Sequence, residues 1–239
     1  MSQRLIRRMF RQVRDANIRY RLVESGDRVA VAMSGGKDSI AMLYFLDLLM
    51  KHTPLRFEIK PLYLDMDFGN DSAAIVRYCA KIGYDLIIEE SNIGKVVFET
   101  RQVENPCALC SHLRRGALCR VAAEHGCNKL ALGHHLDDVV NTLFMSMLYE
   151  SRYHVFKPMT YLSRADIYAI RPLVYVEEKD IRALCSYLEI QPVKNLCPAD
   201  GITKRSEVAE MVNCIEKLHP GARRKFLSSI ENVSIDDFW

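Results

Sequence analysis

The chain has 239 residues, 49% of them hydrophobic, and a formal net charge of +3, which excludes a disordered or fibrous chain and allows one sizeable core. No run of about 18 apolar residues marks a membrane helix, and the Arg-rich N-terminus lacks the hydrophobic stretch of a signal peptide, so the expectation is a cytoplasmic protein with no membrane partner. Eight cysteines at irregular spacings argue for reduced thiols instead of a disulfide framework.

Residues 1–21 carry seven Arg and a single acid, Asp15. Leu5, Ile6, Met9, Phe10, Val13 and Ile18 recur near a helical period, so the spacing predicts a basic amphipathic helix, read as a segment over 1–24 ahead of the main domain over 25–239. Its arginines serve either as the solvated face of a packed helix or as RNA phosphate contacts. Short β-rich runs then alternate with helical ones: "RVAVAM", "SIAMLYFLDLLMKH", "FEIKPLYLDM", "SAAIVRYCAKIG" and "DLIIEES". "HLRRGALCRVAAEHG", "KLALGHHLDDVVNTLFMSMLYE", "IYAIRPLVYV" and "EEKDIRALCSYLEI" continue the rhythm, and "GARRKFLSSIENV" reads as a second basic helix. That order predicts an α/β fold, a doubly wound and mostly parallel sheet with helices on both faces. Two long connections, a cysteine-containing insert at 95–111 and a stretch at 151–166, interrupt the pattern and mark themselves as functional.

"RVAVAMSGGKDSIAML" is a strand, a Gly-rich loop and a helix. Gly35 and Gly36 allow the backbone to approach an anion, and Ser39 opens a helix whose N-terminus attracts one. Lys37 is followed by Asp38, so this is not the nucleoside-triphosphatase loop, and the dinucleotide pattern of three glycines is absent. "LALGHHLDD" follows an apolar run, placing Gly133, His134, His135, Asp137 and Asp138 at the carboxyl end of a strand, where open α/β sheets collect ligands. The two Asp are magnesium candidates beside Asp38, and the two His can stabilise charge at a phosphorus; Asp in this position also caps helices.

Cys107 and Cys110 form a Cys-x-x-Cys pair, and Cys197 stands alone in "VKNLCPADG". A four-thiolate zinc site lacks its second pair, and a redox pair lacks its usual setting. Three thiolates suffice for a 4Fe-4S cluster with one open iron, although spacing alone fits zinc as well. Cys79, Cys119, Cys127, Cys185 and Cys214 lie in or beside helical patterns and read as small core residues.

At Ser34-Gly35-Gly36-Lys37-Asp38-Ser39 the chain resembles the PP-loop family of ATP pyrophosphatases. The Gly-His-His-x-Asp-Asp block is similar to that of its RNA-modifying branches, and Asn141, where the lysidine branch has Glu, argues against that branch. "PCALCSHLRRG", "RPLVYVEEKDI" and "NLCPADG" are similar to the tRNA 2-thiocytidine synthetase group. This resemblance implies that Ser34 to Ser39, with Gly133 and His134, bind ATP. It implies Mg2+ near Asp38, and catalytic parts for Lys37, Asp38, Asp137, Asp138, Cys107, Cys110 and Cys197. The three cysteines would ligate a 4Fe-4S cluster with an open iron; Lys194 stands where the group often has an earlier Cys. The implied reaction adenylates the C2 carbonyl of an anticodon-loop cytidine, with AMP and pyrophosphate as products, and replaces the oxygen with sulfur. Implied partners are tRNA, a cysteine desulfurase or other sulfur donor, and a second copy of the chain. Arg114, Arg115, Arg223, Arg224 and Lys225 are the expected RNA contacts. The alternatives are a PP-loop enzyme thiolating another base or a small molecule, and a non-catalytic redox or nucleotide sensor.

Overall fold

The computed structural model describes residues 2–100, 106–190, 193, 196–198, 204–234 and 236. In chain order the elements are α1 (Ser2–Tyr20), β1 (Arg28–Met33), α2 (Lys37–His52), β2 (Glu58–Asp65), α3 (Ala73–Lys81) and β3 (Ile87–Glu90). The single turn α4 (Ile93–Lys95) runs into a π-helical turn, Val96–Thr100. Then follow α5 (Pro106–Glu124), β4 (Lys129–Ala131), α6 (Leu136–Glu150), β5 (Met159–Leu162), β6 (Ile167–Ile170), α7 (Glu178–Tyr187), α8 (Lys204–Leu218) and α9 (Ala222–Glu231).

The strands form one six-stranded sheet in the order β3-β2-β1-β4-β6-β5. All pairs are parallel except β5 with β6. The strands are short, rich in Val, Ile and Leu, and separated by helices, so the crossover connections lay helices on both faces. One face carries Met9 and Val13 of α1, Phe45 and Leu46 of α2, and Ile181 and Leu184 of α7. The other carries Leu118, Cys119, Val121 and Ala122 of α5. The doubly wound expectation holds. Among the described residues no helix is long and apolar enough to cross a membrane.

Three elements differ from the sequence reading. The helix α5 begins at Pro106, so Cys107 and Cys110 sit on its first turns and not in a connection; Pro is well suited to the first helical position, where its missing N–H costs nothing. Residues 101–105 of the expected insert lie outside the described residues. The stretch 151–166 contains an antiparallel edge strand, β5, that reaches β6 through a short turn. The helix α8 was not expected: only Val208 and Val212 of its residues are buried, too narrow a stripe to stand out in a polar sequence. Its residue Cys214 is exposed, unlike Cys79, Cys119, Cys127 and Cys185, which are buried as expected.

Candidate active site

The chain leaves β1 at Met33 and turns through Ser34, Gly35 and Gly36 into α2. Gly35 has φ +74, and a Cβ there would lie 2.9 Å from the Val193 side chain, so both backbone angle and space require glycine. The hydroxyl of Ser39 donates to the Gly36 carbonyl at 2.8 Å, and the Ser34 N–H donates to Ser39 Oγ at 3.2 Å. This bracing holds the first turn of α2, whose free N–H groups form an anion site. Lys37 Nζ lies 3.0 Å from Asp38 and 3.0 Å from Glu178. Burial opposes the Lys37 ammonium, but these two carboxylates outweigh it and raise its pKa.

The Gly-His-His-x-Asp-Asp block leaves β4 and enters α6. A Cβ on Gly133 would stand 3.2 Å from the Asp38 carbonyl carbon and 3.3 Å from the Ser39 nitrogen; glycine thus lets the block press against the phosphate loop. The His135 N–H donates to Asp138 at 3.0 Å, capping α6. Asp137 accepts the Glu178 N–H at 2.7 Å and lies 2.8 Å from Arg223. Burial would raise the Asp137 carboxyl, but His135, the Glu178 N–H and Arg223 together hold it below its ordinary value. Burial likewise opposes a charged His135, yet Asp137, Asp138 and Asp38 raise its pKa overall. Asp38 Oδ1 is buried without a hydrogen-bond partner and lies 3.6 Å from His135 Nε2. Of the three acids, Asp38 therefore retains the coordination capacity a divalent cation needs, whereas Asp137 is enclosed by its partners.

A cavity of about 310 Å3 opens between this loop and α5. Ser34, Asp38, Ser39, Gly133 and His134 line one side, Tyr63, Leu64, Met66 and Phe68 another, and Cys110, Arg114 and Cys197 a third. Cys107 is exposed one turn before Cys110. Burial raises the Cys110 thiol, Arg114 opposes this, and Cys197 and then Cys107 add to it, so the three thiols sense one another. Among the described residues, no three His, Cys, Asp or Glu side chains are gathered closely enough to hold a metal as they stand. The Leu196 N–H donates to Asn70 of the cavity wall at 3.2 Å, which holds the Cys197 segment against the end of β2. Lys194 lies outside the described residues.

The arginines depart from expectation. Arg223 is nearly buried against Asp137 and Glu216, and Arg224 lies 2.6 Å from Glu177. Arg223 serves an internal ion pair instead of an RNA track, because α9 folds back onto the start of α6; Arg224 is half exposed where it pairs with Glu177, and Lys225 is exposed. Arg171, unnoticed in the sequence, is 8% exposed. It donates to the Lys157 carbonyl at 2.7 Å and stacks 4.9 Å from the Phe156 ring, which also faces His134 at 5.0 Å. Its Nε has no partner. Burial, then the charge of Arg115, lower its pKa to about 10. Burial also takes His134 down to about 4 despite Asp138, with Arg171, Arg205 and Arg114 contributing, so this imidazole is neutral at pH 7. The cues for Glu178 and Arg171 were "VEEKDI" and "IRPL", but neither motif reveals which charge it meets.

A PP-loop domain model matches residues 2–206. A tRNA-cytidine(32) 2-sulfurtransferase of Ralstonia nicotianae is 36% identical over 217 residues, covering 90% of this chain and 70% of that protein. One of Haemophilus influenzae is 36% identical over 236 residues, covering 97% and 76%. The solved structure of the U34-tRNA thiolase NcsA from Methanococcus maripaludis, with its 4Fe-4S cluster, superposes with a TM-score of 0.76 at 27% identity, covering 98% of this chain and 81% of that one. The chain belongs to the PP-loop family, and within it to the group of the tRNA-cytidine(32) 2-sulfurtransferases.

Proposed function

We propose that this protein is an ATP-dependent tRNA sulfurtransferase that adenylates the C2 carbonyl of an anticodon-loop cytidine and replaces its oxygen with sulfur. The observation that carries the reading is the shared cavity: the phosphate loop and two of the three candidate cluster thiols, Cys110 and Cys197, face the same space. Relatives named for cytidine thiolation, and a structural neighbour named as a tRNA thiolase, support the choice of substrate.

The β and γ phosphates of ATP lie at the start of α2, where the free amides, Ser34, Ser39 and Lys37 receive them. Lys37 exchanges a carboxylate for phosphate as it does so. The base enters against the apolar wall of Leu64, Met66 and Phe68. Its carbonyl oxygen attacks the α-phosphorus, the bond to the β-phosphate oxygen breaks, and pyrophosphate leaves. His134, neutral and with an unpartnered Nδ1, faces the ligand, and Arg114 offsets the developing negative charge. A sulfur nucleophile then attacks C2, and the C–O bond breaks with AMP as leaving group.

The orphaned Asp38 Oδ1 fits Mg2+, which would neutralise phosphate charge. Cys110 and Cys197, which line the cavity, and Cys107, one turn before Cys110, are the thiols that would hold a 4Fe-4S cluster. Held by three thiolates, such a cluster would supply one iron site for carrying sulfur. A cysteine desulfurase or another persulfide source supplies that sulfur, in the cytoplasm. The test is mass spectrometry of tRNA nucleosides from a strain lacking this protein, rescued with wild type or Cys197→Ser. Loss of 2-thiocytidine, restored by wild type alone, is expected. An unchanged nucleoside pool in the deletion strain overturns the reading.

A further inference from the structure

A second space lies beside the cavity. Between α5 and the β5–β6 hairpin runs an open groove of about 760 Å3, walled by His112, Arg115 and Gly116 on the helix and by Leu162, Arg164 and Ala165 on the hairpin. Neighbouring residues of α5 divide the two spaces: Arg114 lines the cavity and Arg115 the groove.

Three observations bear on what the groove holds. The first is Arg171. Ile167 of β6 packs with Leu118 and Cys119 of α5, and the two-residue alternation of a strand carries Arg171 to that same face at the sheet's carboxyl edge. There it meets the charge of Arg115, and among the described residues no carboxylate lies within ion-pair distance. The other buried cations are matched, Lys129 by Asp27 at 2.7 Å and Arg223 by Asp137. Arg171 is 8% exposed, gives one N–H group to the Lys157 carbonyl and the Thr160 hydroxyl, and keeps an unpartnered Nε beside the charge of Arg115; although it lines neither space directly, its charge is left for an anion to balance.

The second is Gly116. It sits inside a 19-residue helix, where glycine is unfavourable, yet a Cβ there would meet nothing within 4 Å. Internal packing therefore does not require it, and its effect is to leave bare helix backbone on the groove wall, open to close approach. The third is the distribution of charge. Arg115, Arg164 and His112 are exposed without an ion pair among the described residues. Arg120, further along α5, is held by Glu89 at 2.6 Å and Glu124 at 2.9 Å. His112 and Arg115, on the early turns of α5, place free positive charge at the end nearer the cavity, and Arg164, on the turn between β5 and β6, places it at the far end of the groove.

We propose that this groove carries the single-stranded RNA flanking the target cytidine, with a backbone phosphate between Arg115 and Arg171 at the junction with the cavity. The proposal rests on the tRNA reading above. A nucleotide whose base enters the cavity brings its own backbone to the rim, and the strand must then continue over the surface. The groove starts at that rim, presents cations for phosphate, and has room over Gly116 for the ribose-phosphate chain. An acidic sulfur-donor protein is the competing occupant; the position of the unmatched Arg171 beside the cavity favours the strand that must pass there.

The test uses the full-length, cluster-reconstituted protein and an unmodified anticodon stem-loop RNA, with affinity read by fluorescence anisotropy at several salt concentrations. Gly116→Leu improves helix propensity while filling the groove. It is expected to leave the melting temperature equal or higher and binding of a non-hydrolysable ATP analogue unchanged, while weakening RNA binding roughly tenfold, as loss of a close backbone approach would. Arg164→Ala, a surface change, is expected to weaken binding a few-fold and to lower the slope of log affinity against log salt by about 0.7, the value for one phosphate contact on a single strand. Unchanged RNA affinity in both variants overturns the proposal. If sulfide still supports thiolation in them while a persulfide-carrying desulfurase does not, with RNA affinity intact, the groove belongs to the donor protein and the RNA assignment falls. Absence of RNA binding by the wild type would overturn the tRNA reading itself; binding by the wild type with unaffected variants overturns the groove alone.

Discussion

The two sides of the cavity differ in how their charges are matched. On the phosphate-loop side, Lys37 is shared by Asp38 and Glu178, and Asp137 is enclosed by Arg223, His135 and the Glu178 N–H. On the α5 side, Arg114, Arg115 and Arg171 have no carboxylate partner among the described residues, and His134 is held neutral. The matched side is a pre-organised frame, in which each ion fixes another and the loop geometry is set before a ligand arrives. The unmatched side stores an electrostatic deficit that a polyanion relieves. The two halves of one site therefore answer to different physics: stability on one side, binding on the other.

Breaking a matched pair gives the largest expected effect. Arg223→Met leaves the buried Asp137 carboxylate with only His135 and the Glu178 N–H as partners, and stability measured by urea unfolding is expected to fall by about 2 kcal/mol. The same variant sharpens the pH argument. Wild-type Asp137 is held below its ordinary value, so its contribution is present above the ordinary carboxylate range and is lost as pH falls through the depressed value; the variant should show a shallower acid loss. A fall well under 1 kcal/mol would mean that the pair is not the frame described here.

Next in size is the seam between the two loops. Gly133→Ala places a methyl group against the backbone of Asp38 and Ser39, neither of which is a flexible tip. The expected cost is about 1 kcal/mol, with weaker ATP-analogue binding by calorimetry. Equal affinity would show that the loop tolerates displacement. The unmatched side should behave in the opposite way. Arg171→Met removes a cation that leaves no carboxylate stranded, so stability is expected to change by less than about 1 kcal/mol. A loss as large as that of Arg223→Met would break the comparison.

The smallest effect is a slope. His135 is raised above its ordinary value by Asp137, Asp138 and Asp38 acting against burial. Its favourable contribution is complete below the ordinary imidazole range and fades as pH rises through the raised value. Wild type is therefore expected to lose stability between neutral and mildly alkaline pH relative to His135→Asn, whose side chain does not titrate. Parallel profiles for the two proteins would refute the assignment.

Much of the architecture was legible in the residues. The strand-loop-helix around Gly35, the βα alternation, the basic N-terminal helix and the block after β4 all follow from periodicity and from backbone sterics within a few residues. The misreadings have local causes too. The buried stripe of α8 is narrow, and Pro106 suits a connection as well as the first position of a helix. The β5–β6 hairpin was hidden because "MTYLSRADIYAI" was divided between a long connection and a strand.

The sequence by itself determined where the chain turns, which segments bury an apolar face, and where glycine admits an anion, because each depends on torsion angles and side-chain spacing between near neighbours. Tertiary structure alone decided which charges meet. Arg223 reaches Asp137 because α9 folds back against α6, and Arg171 remains unmatched because β6 ends at the rim facing α5. Ion pairing and burial are set by the approach of segments far apart in sequence, and the energies that distinguish a frame cation from a binding cation arise only once that approach has excluded water.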